Sequence, residues 1–297
     1  MRAKKWVSGL KNLYLSLPLK NVYKVIRRYA KLKKNNYWYL RFRGIFTVPV
    51  DASHSFKVKN YGFSIENSIF WAGLTGEWEA SSMKLWLELV KNADVIFDVG
   101  ANTGMYSLVA KALNPRSKVY AFEPVKRIFE KLQYNQTLNK YDTTCLEYAA
   151  SNGNGTATIY DLPTDHVYSV TVNKNLNPAG THVIPTTIKT IRLDTFIEQA
   201  KIEKLDLIKL DVETYEAEVI EGLGIYLEKF KPTILVEVLN DIIGSQLQEL
   251  FDGKGYLYFN INEETGEVKL AEHIKRDVHF NFLVCNKKIA AKINLIK

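Results

Sequence analysis

From residue 95 onward the chain alternates short apolar runs with amphipathic stretches, and this alternation constrains the fold more than any other feature. Residues 95–100 read VIFDVG, a continuous apolar run ending in Asp and Gly, as a strand buried on both faces does. A helical pattern covers 104–113, and KVYAFEP (118–124) is a second strand stopped by Pro124. A helix over 128–138 leads to TTCLEYAA (143–150), a third strand. LDLIKLDV (205–212) and TILVEVL (233–239) are two more, each followed by a helical segment. Strands and helices in this order predict an α/β fold, a Rossmann-like parallel sheet with helices on both faces. The last strands, YLYFNIN (256–262) and HFNFLVCNK (279–287), have only a polar turn region between them, which predicts an antiparallel strand inserted at one edge. Residues 151–194 interrupt the alternation and read as a hairpin insertion near the site.

Upstream, Phe46, Val48 and Val50, then Phe56 and Val58, alternate as short strands. Trp78, Leu85, Trp86 and Leu89 give residues 77–91 a helical apolar face. Three segments follow: a basic arm (1–43), strands and a helix packing on the core (44–91), and the α/β domain (92–297). A hydrophobic content of 46% with 24% charged residues excludes a disordered chain. No apolar run approaches the ~20 residues of a membrane-spanning helix. Cys145 and Cys285 have no partner at ligand or disulfide spacing, so a reducing, cytoplasmic setting is expected.

The charge is unevenly placed. Thirteen of the 40 Lys and Arg residues lie before residue 44, and the first acid is Asp51. The rest of the chain holds 27 basic residues against 32 acidic. Val22, Ile26 and Tyr29 follow helical spacing, with Lys24, Arg27, Arg28 and Lys31 on the other side. Three readings stay open: a solvated helical face packed on the body, peripheral contact with an anionic membrane surface, and, ranked last, nucleic-acid binding.

Ligands of open α/β sheets bind beyond the carboxyl ends of the strands. The first strand there runs into Asp98-Val99-Gly100-Ala101-Asn102-Thr103-Gly104. Gly100 permits a tight turn, and Gly104 opens a helix whose free N–H groups favour an anionic group. The spacing G-x-x-x-G lacks the third glycine of dinucleotide sites. Glu123, 23 residues past Gly100, ends the second strand, where an acid accepts from both ribose hydroxyls and repels a 2′-phosphate.

FDVGANTGMYSLVA, VYAFEP, Asn135 and Asn139, EYAAS, LDTF, LIKLDVETYE with Ile220 and Gly222, and ILVEV together resemble the FkbM family of S-adenosylmethionine-dependent methyltransferases. The resemblance spans roughly residues 94–240 and implies a seven-stranded class I methyltransferase sheet. It implies S-adenosylmethionine as cofactor and O-methylation of a hydroxyl on a sugar, glycan or other secondary metabolite. Asp98, Gly100, Asn102 and Gly104, with Ala101, Thr103 and Tyr106 in the same run, would hold the methionine end. Glu123 would hold the ribose, Pro124 would fix the turn behind it, and Ala149 and Ala150 would lie near the adenine. Asp211 and Glu213 would face the transferred methyl group. The sequence departs from the family's D-V-E-G-x-E at Thr214, a residue that does not adopt φ > 0 cheaply.

An alcohol needs a base to become a nucleophile at neutral pH. Asp211, Glu213 and Glu237 are the strand-end candidates, and His166 and His182 of the insertion could reach in. Asp211 with Glu237 shows no third ligand, so no metal is expected. An amino-methyltransferase would carry a D/N-P-P-Y motif in place of Asp211-Val212-Glu213-Thr214, and a cytosine-C5 enzyme a site cysteine. A non-catalytic or nucleic-acid-directed member of the fold stays open because of Thr214 and the basic arm. The acceptor and the oligomeric state are not specified by the sequence.

Overall fold

The computed structural model describes residues 19–29, 34–37, 39–161, 183–276 and 279–296. Contacts divide the chain into two compact units, residues 1–80 and 81–297.

In the first unit, β1 (Gly44–Pro49) and β2 (Ser55–Asn60) pair antiparallel. Strand alternation puts Phe46, Val48, Phe56 and Val58 on one buried face. The helix Ser64–Ala72 supplies Phe70, whose ring meets Phe42 and Phe46 edge-to-face at 4.6 and 5.3 Å. Tyr23, on the helix Lys20–Tyr29, packs 5.4 Å from Trp71. Such aromatic pairs add to what area burial alone contributes.

The second unit carries the large sheet. Its strands are β3 (Val95–Val99), β4 (Lys118–Phe122), β5 (Thr144–Leu146), β9 (Leu207–Leu210), β10 (Thr233–Glu237), β11 (Tyr256–Ile261), β12 (Val268–Ala271) and β13 (Asn281–Asn286). They lie in the order β12-β11-β13-β10-β9-β3-β4-β5. From β10 to β5 all neighbours are parallel. Every residue of β3 and β9 is buried, the reason both read as apolar runs apart from Asp98 and Lys209. A smaller sheet in the order β6-β8-β7 holds β6 (Ala149–Ser151), β7 (Gly155–Asp161) and β8 (Ile184–Arg192). β7 and β8 form the antiparallel hairpin of the 151–194 segment.

The reversed strand, β13, is inserted near one end of the sheet, antiparallel to both β10 and β11. Three details depart from the sequence reading. The edge is taken by β12, an eighth strand whose four residues (VKLA) are too short and too exposed to show as a strand pattern. The stretch 143–150 is not one strand. β5 ends at Leu146, and Ala149–Ser151 pairs with β8 in the other sheet. Finally, the helix Ala80–Val90 belongs from Ser81 on to the larger unit and not with the strands before it. Ser81 and Ser82 donate to the Glu263 carboxylate, and the Trp86 indole N–H donates to the Tyr106 carbonyl at 3.1 Å.

Register positions the site. Val99 pairs with both Phe122 and Leu210, and Leu210 with Val236. The residues next in sequence, Gly100, Glu123, Asp211 and Glu237, therefore leave the sheet together at its carboxyl edge.

Candidate functional site

Two turns meet at this edge. Gly100 has φ +80°, and a Cβ there would stand 1.8 Å from the Asp211 carbonyl oxygen. Only glycine lets the 98–104 turn lie against the 211–214 turn this closely. Gly104, φ +87°, sits as tightly on the next helix: its Cβ would meet Leu132 Cδ1 at 2.5 Å. That helix, Lys126–Leu138, is also tied to the turn by Asn135, whose amide nitrogen donates to the Thr103 carbonyl at 2.9 Å.

Glu123 is buried behind the turn. Its Oε2 accepts from the Asn102 N–H at 3.0 Å and its Oε1 from the Val125 N–H at 2.9 Å. Asn102 itself is left-handed, φ +50°. Burial pushes the Glu123 carboxyl up to about 7, against the pull of these two amides and Arg127. A carboxylate has about four acceptor positions, so each oxygen keeps capacity for a further donor. These free acceptor positions fit a ribose, whose two hydroxyls can donate to them. Pro124 follows at the strand end.

Asp98 is the penultimate residue of β3. It is buried, and its Oδ2 accepts both the N–H and the hydroxyl of Ser107, inside the helix Met105–Leu113. It anchors the glycine turn to that helix. Burial raises its carboxyl to about 6, with Ser107 and Lys209 opposing. Ala101 packs with Ala121, Phe129 and Leu132. Tyr106 lies edge-on to Trp86, and the buried Lys209 Nζ stands 5.0 Å above the Tyr106 ring. Ala149 and Ala150 are buried on β6, and Ala150 joins the main core with Phe122 and Ile191. Gly222 accounts for the close packing here, since a Cβ on it would meet the Ser151 carbonyl oxygen at 2.1 Å.

The acidic turn follows β9. Lys209 Nζ stands 3.6 Å from Asp211 Oδ2. Glu213 and Thr214 are both left-handed, φ +55° and +75°. Glu216 is fully buried, and its Oε1 accepts from the N–H groups of Val212 (3.3 Å) and Thr214 (3.2 Å). Burial first, then the Asp211 charge, raise Glu213 to about 7, with Lys209 opposing. Burial raises Glu216 to about 8. Glu237 ends β10 beside this turn. His166 and His182 lie outside the described residues. Among the described residues no cluster of His, Cys, Asp and Glu has the makings of a metal site.

The family described as "Methyltransferase FkbM domain" matches residues 98–258, more than half of the chain, and the match begins at the buried aspartate of the glycine turn. The chain belongs to the FkbM methyltransferase domain family.

Among curated proteins, this FkbM-domain chain is similar to the hexuronic acid methyltransferase AglP of Haloferax volcanii, 29% identical over 54% of the chain and 62% of that protein. The 2-O-methyltransferase NoeI of Sinorhizobium fredii is 28% identical over 48% and 64%. The 31-O-demethyl-FK506 methyltransferase FkbM of Streptomyces tacrolimicus is 29% identical over 45% and 61%. The chain therefore spans a little under two thirds of each of these relatives. A solved FkbM methyltransferase from Methylobacillus flagellatus superposes with a TM-score of 0.42 at 15% identity, over 65% of this chain and 43% of that one.

The roles of four residues at this site are not legible in the sequence. Asn135 figures in the resemblance, but neither it nor Ser107 discloses there what it binds. Glu216 reads as the first acid of a helix. Lys209 did leave a signal, as a lone cation inside the buried run LIKL.

Proposed function

We propose that this chain transfers a methyl group from S-adenosylmethionine to a hydroxyl of a sugar, glycan or other secondary metabolite. The observation that carries the reading is the meeting of two turns at one sheet edge. One holds a buried carboxylate with spare acceptor capacity, Glu123, and the other presents acids on a left-handed backbone. When bound, S-adenosylmethionine supplies a methyl group already activated on a sulfonium. Glu123 would accept the two ribose hydroxyls, with Pro124 fixing the turn behind it. The turn from Gly100 through Ala101, Asn102 and Thr103 to Gly104 would cradle the methionine end, with Asp98 and Tyr106 supporting it from beneath. Ala149 and Ala150, small and buried, would leave room for the adenine.

On the acceptor side, Glu213 would take the hydroxyl proton. Its carboxyl, raised to about 7, matches what a general base needs near neutral pH. Asp211, near the Lys209 ammonium, and Glu237 would orient the acceptor. The names of the relatives favour a sugar, since one acts on a hexuronic acid. Calorimetric titration with S-adenosylmethionine, followed by methyl transfer to a glycan panel that includes uronic acids, tests this. Binding followed by methylation of a glycan hydroxyl is expected. Failure to bind S-adenosylmethionine would overturn the reading.

The first unit supports a further part of the proposal, peripheral contact with an anionic membrane surface. On the helix Lys20–Tyr29, Val22, Val25 and Tyr29 are 53%, 58% and 81% exposed. At the helical advance per residue they fall within about 60° of one another. The exposed Lys24 and Arg28 form an adjoining strip, and Tyr23 anchors the opposite face. An apolar stripe beside cations fits the interface of an acidic bilayer. Among the described residues, no helix is long and apolar enough to cross a membrane.

A further inference from the structure

The 211–214 turn is held from two sides. Gly100 admits the Asp211 carbonyl to a distance that no side chain would allow. On the other side, one oxygen of Glu216 gathers the N–H groups of Val212 and Thr214. Between these two fixings lie Glu213 and Thr214, consecutive non-glycine residues with positive φ. A β-branched residue does not hold that conformation unaided, so something must impose it.

We infer that Glu216 is a positioning residue: by binding the Val212 and Thr214 amides it locks the left-handed Glu213–Thr214 turn and so aims Glu213 at the acceptor. The inference rests on the proposed methyl transfer for its consequence, but not for its geometry. Glu216 has no exposed surface, and its Oε2 has no hydrogen-bond partner. A buried carboxyl with one oxygen committed to two amides and the other without a partner is not a solvated helix-end acid. Burial raises it to about 8, so at neutral pH it holds a proton. With both Oε1 acceptor positions used by amides, that proton belongs on Oε2. A neutral carboxyl can then hold the turn without adding a buried negative charge near Asp211. Glutamine reproduces this arrangement, since its carbonyl oxygen accepts the same two N–H groups and its amide replaces the protonated oxygen.

The test compares Glu216→Gln, Glu216→Ala, Thr214→Gly and the double variant Thr214→Gly/Glu216→Ala. Hydrogen exchange at the Val212 and Thr214 amides, read by NMR, reports the lock whatever the acceptor. Protection should survive in Glu216→Gln and fall by about tenfold or more in Glu216→Ala. Titration with S-adenosylmethionine should give affinities within a few-fold for all four. With a uronic acid glycan that accepts methyl groups, kcat should fall by ~10²-fold in Glu216→Ala with little change in KM. Glu216→Gln should be near native. Thr214→Gly should restore part of the kcat lost in Glu216→Ala, because glycine holds positive φ without a lock.

The inference is overturned if Glu216→Ala keeps native exchange at both amides. It is equally overturned if Glu216→Gln is as damaged as Glu216→Ala, or if the double variant shows no recovery of kcat. If the native chain fails to bind S-adenosylmethionine, the proposed function falls, while the exchange measurement still decides the role of Glu216.

Discussion

Glu123 shows what single residues disclose in sequence and what they conceal. Its spacing from Gly100 and its place at a strand end are what propose it as a ribose acceptor, because distance along an αβ unit translates into position at the sheet edge. Its second task, receiving the Asn102 and Val125 amides, leaves no trace in sequence, since any backbone could supply those N–H groups. Thr214 was legible only as a departure from a pattern. The structure shows that the backbone there does take positive φ, so the threonine is held against its preference. The raised Glu123 carboxyl gives a measurable consequence. Below about 7 it is protonated, and binding a ribose through its carboxylate must release that proton. Affinity for S-adenosylmethionine should therefore rise with pH, by up to about tenfold per unit, and level off above about 7. Glu123→Gln should bind roughly tenfold more weakly above that value and show no such slope. Calorimetry across this range decides it, and a native affinity independent of pH would refute the ribose role.

At the scale of elements, legibility follows burial. β3, β9 and β10 are enclosed on both faces, so apart from Asp98 and Lys209 their sequences are apolar runs whose ends mark the site. Where burial is partial the signal fails. The stretch 143–150 reads as one strand because Cys145, Leu146, Tyr148, Ala149 and Ala150 are all apolar enough to belong to one, yet the chain changes sheets between Leu146 and Ala149. Sequence periodicity reports how apolar a segment is, but not which neighbour it pairs with. Spacing predicts an amphipathic helix over Lys20–Tyr29, with Val22, Ile26 and Tyr29 on its apolar face and docking or membrane contact both open. In the structure Val22 and Tyr29 of that face are exposed together with Val25, Ile26 is half-buried, and the docking residue is Tyr23, which lies off that face. Sedimentation with vesicles containing phosphatidylglycerol should carry the full chain down. The effect should weaken with salt and be absent with purely zwitterionic vesicles. Val22→Asp/Val25→Asp should abolish it. Binding to nucleic acid but not to vesicles would reverse the assignment, and indifference to both would leave the helix a solvated face.

For the molecule as a whole, the carboxyl edge of the sheet concentrates acids whose titration the fold shifts upward. Asp98 is raised to about 6, Glu123 and Glu213 to about 7, and Glu216 to about 8, each chiefly by burial. Acids held by partners elsewhere, such as Asp142 beside Lys111 and Asp194 beside Arg192, are shifted down instead. The two sets act in different pH windows. A lowered acid stabilises above its ordinary value and loses that contribution as pH falls through its folded value. A raised acid stabilises below its ordinary value and loses that contribution as pH rises through its folded value. Between about pH 5 and 8 the unfolded chain has already released protons that these site carboxyls give up only progressively, Asp98 first and Glu216 last, so the unfolded state binds fewer protons and stability falls with rising pH. One fully linked proton gives a slope of about 1.4 kcal/mol per pH unit. The ligand-free protein should therefore show a Tm that declines from about pH 5 to 8, while affinity for S-adenosylmethionine rises over part of the same range. Glu216→Gln, which removes one titrating group but keeps its amide contacts, should flatten the upper part of the decline. Scanning calorimetry on both chains without ligand is the measurement. A native Tm that is constant or rises over this window would mean that the site acids are ionised in the folded protein.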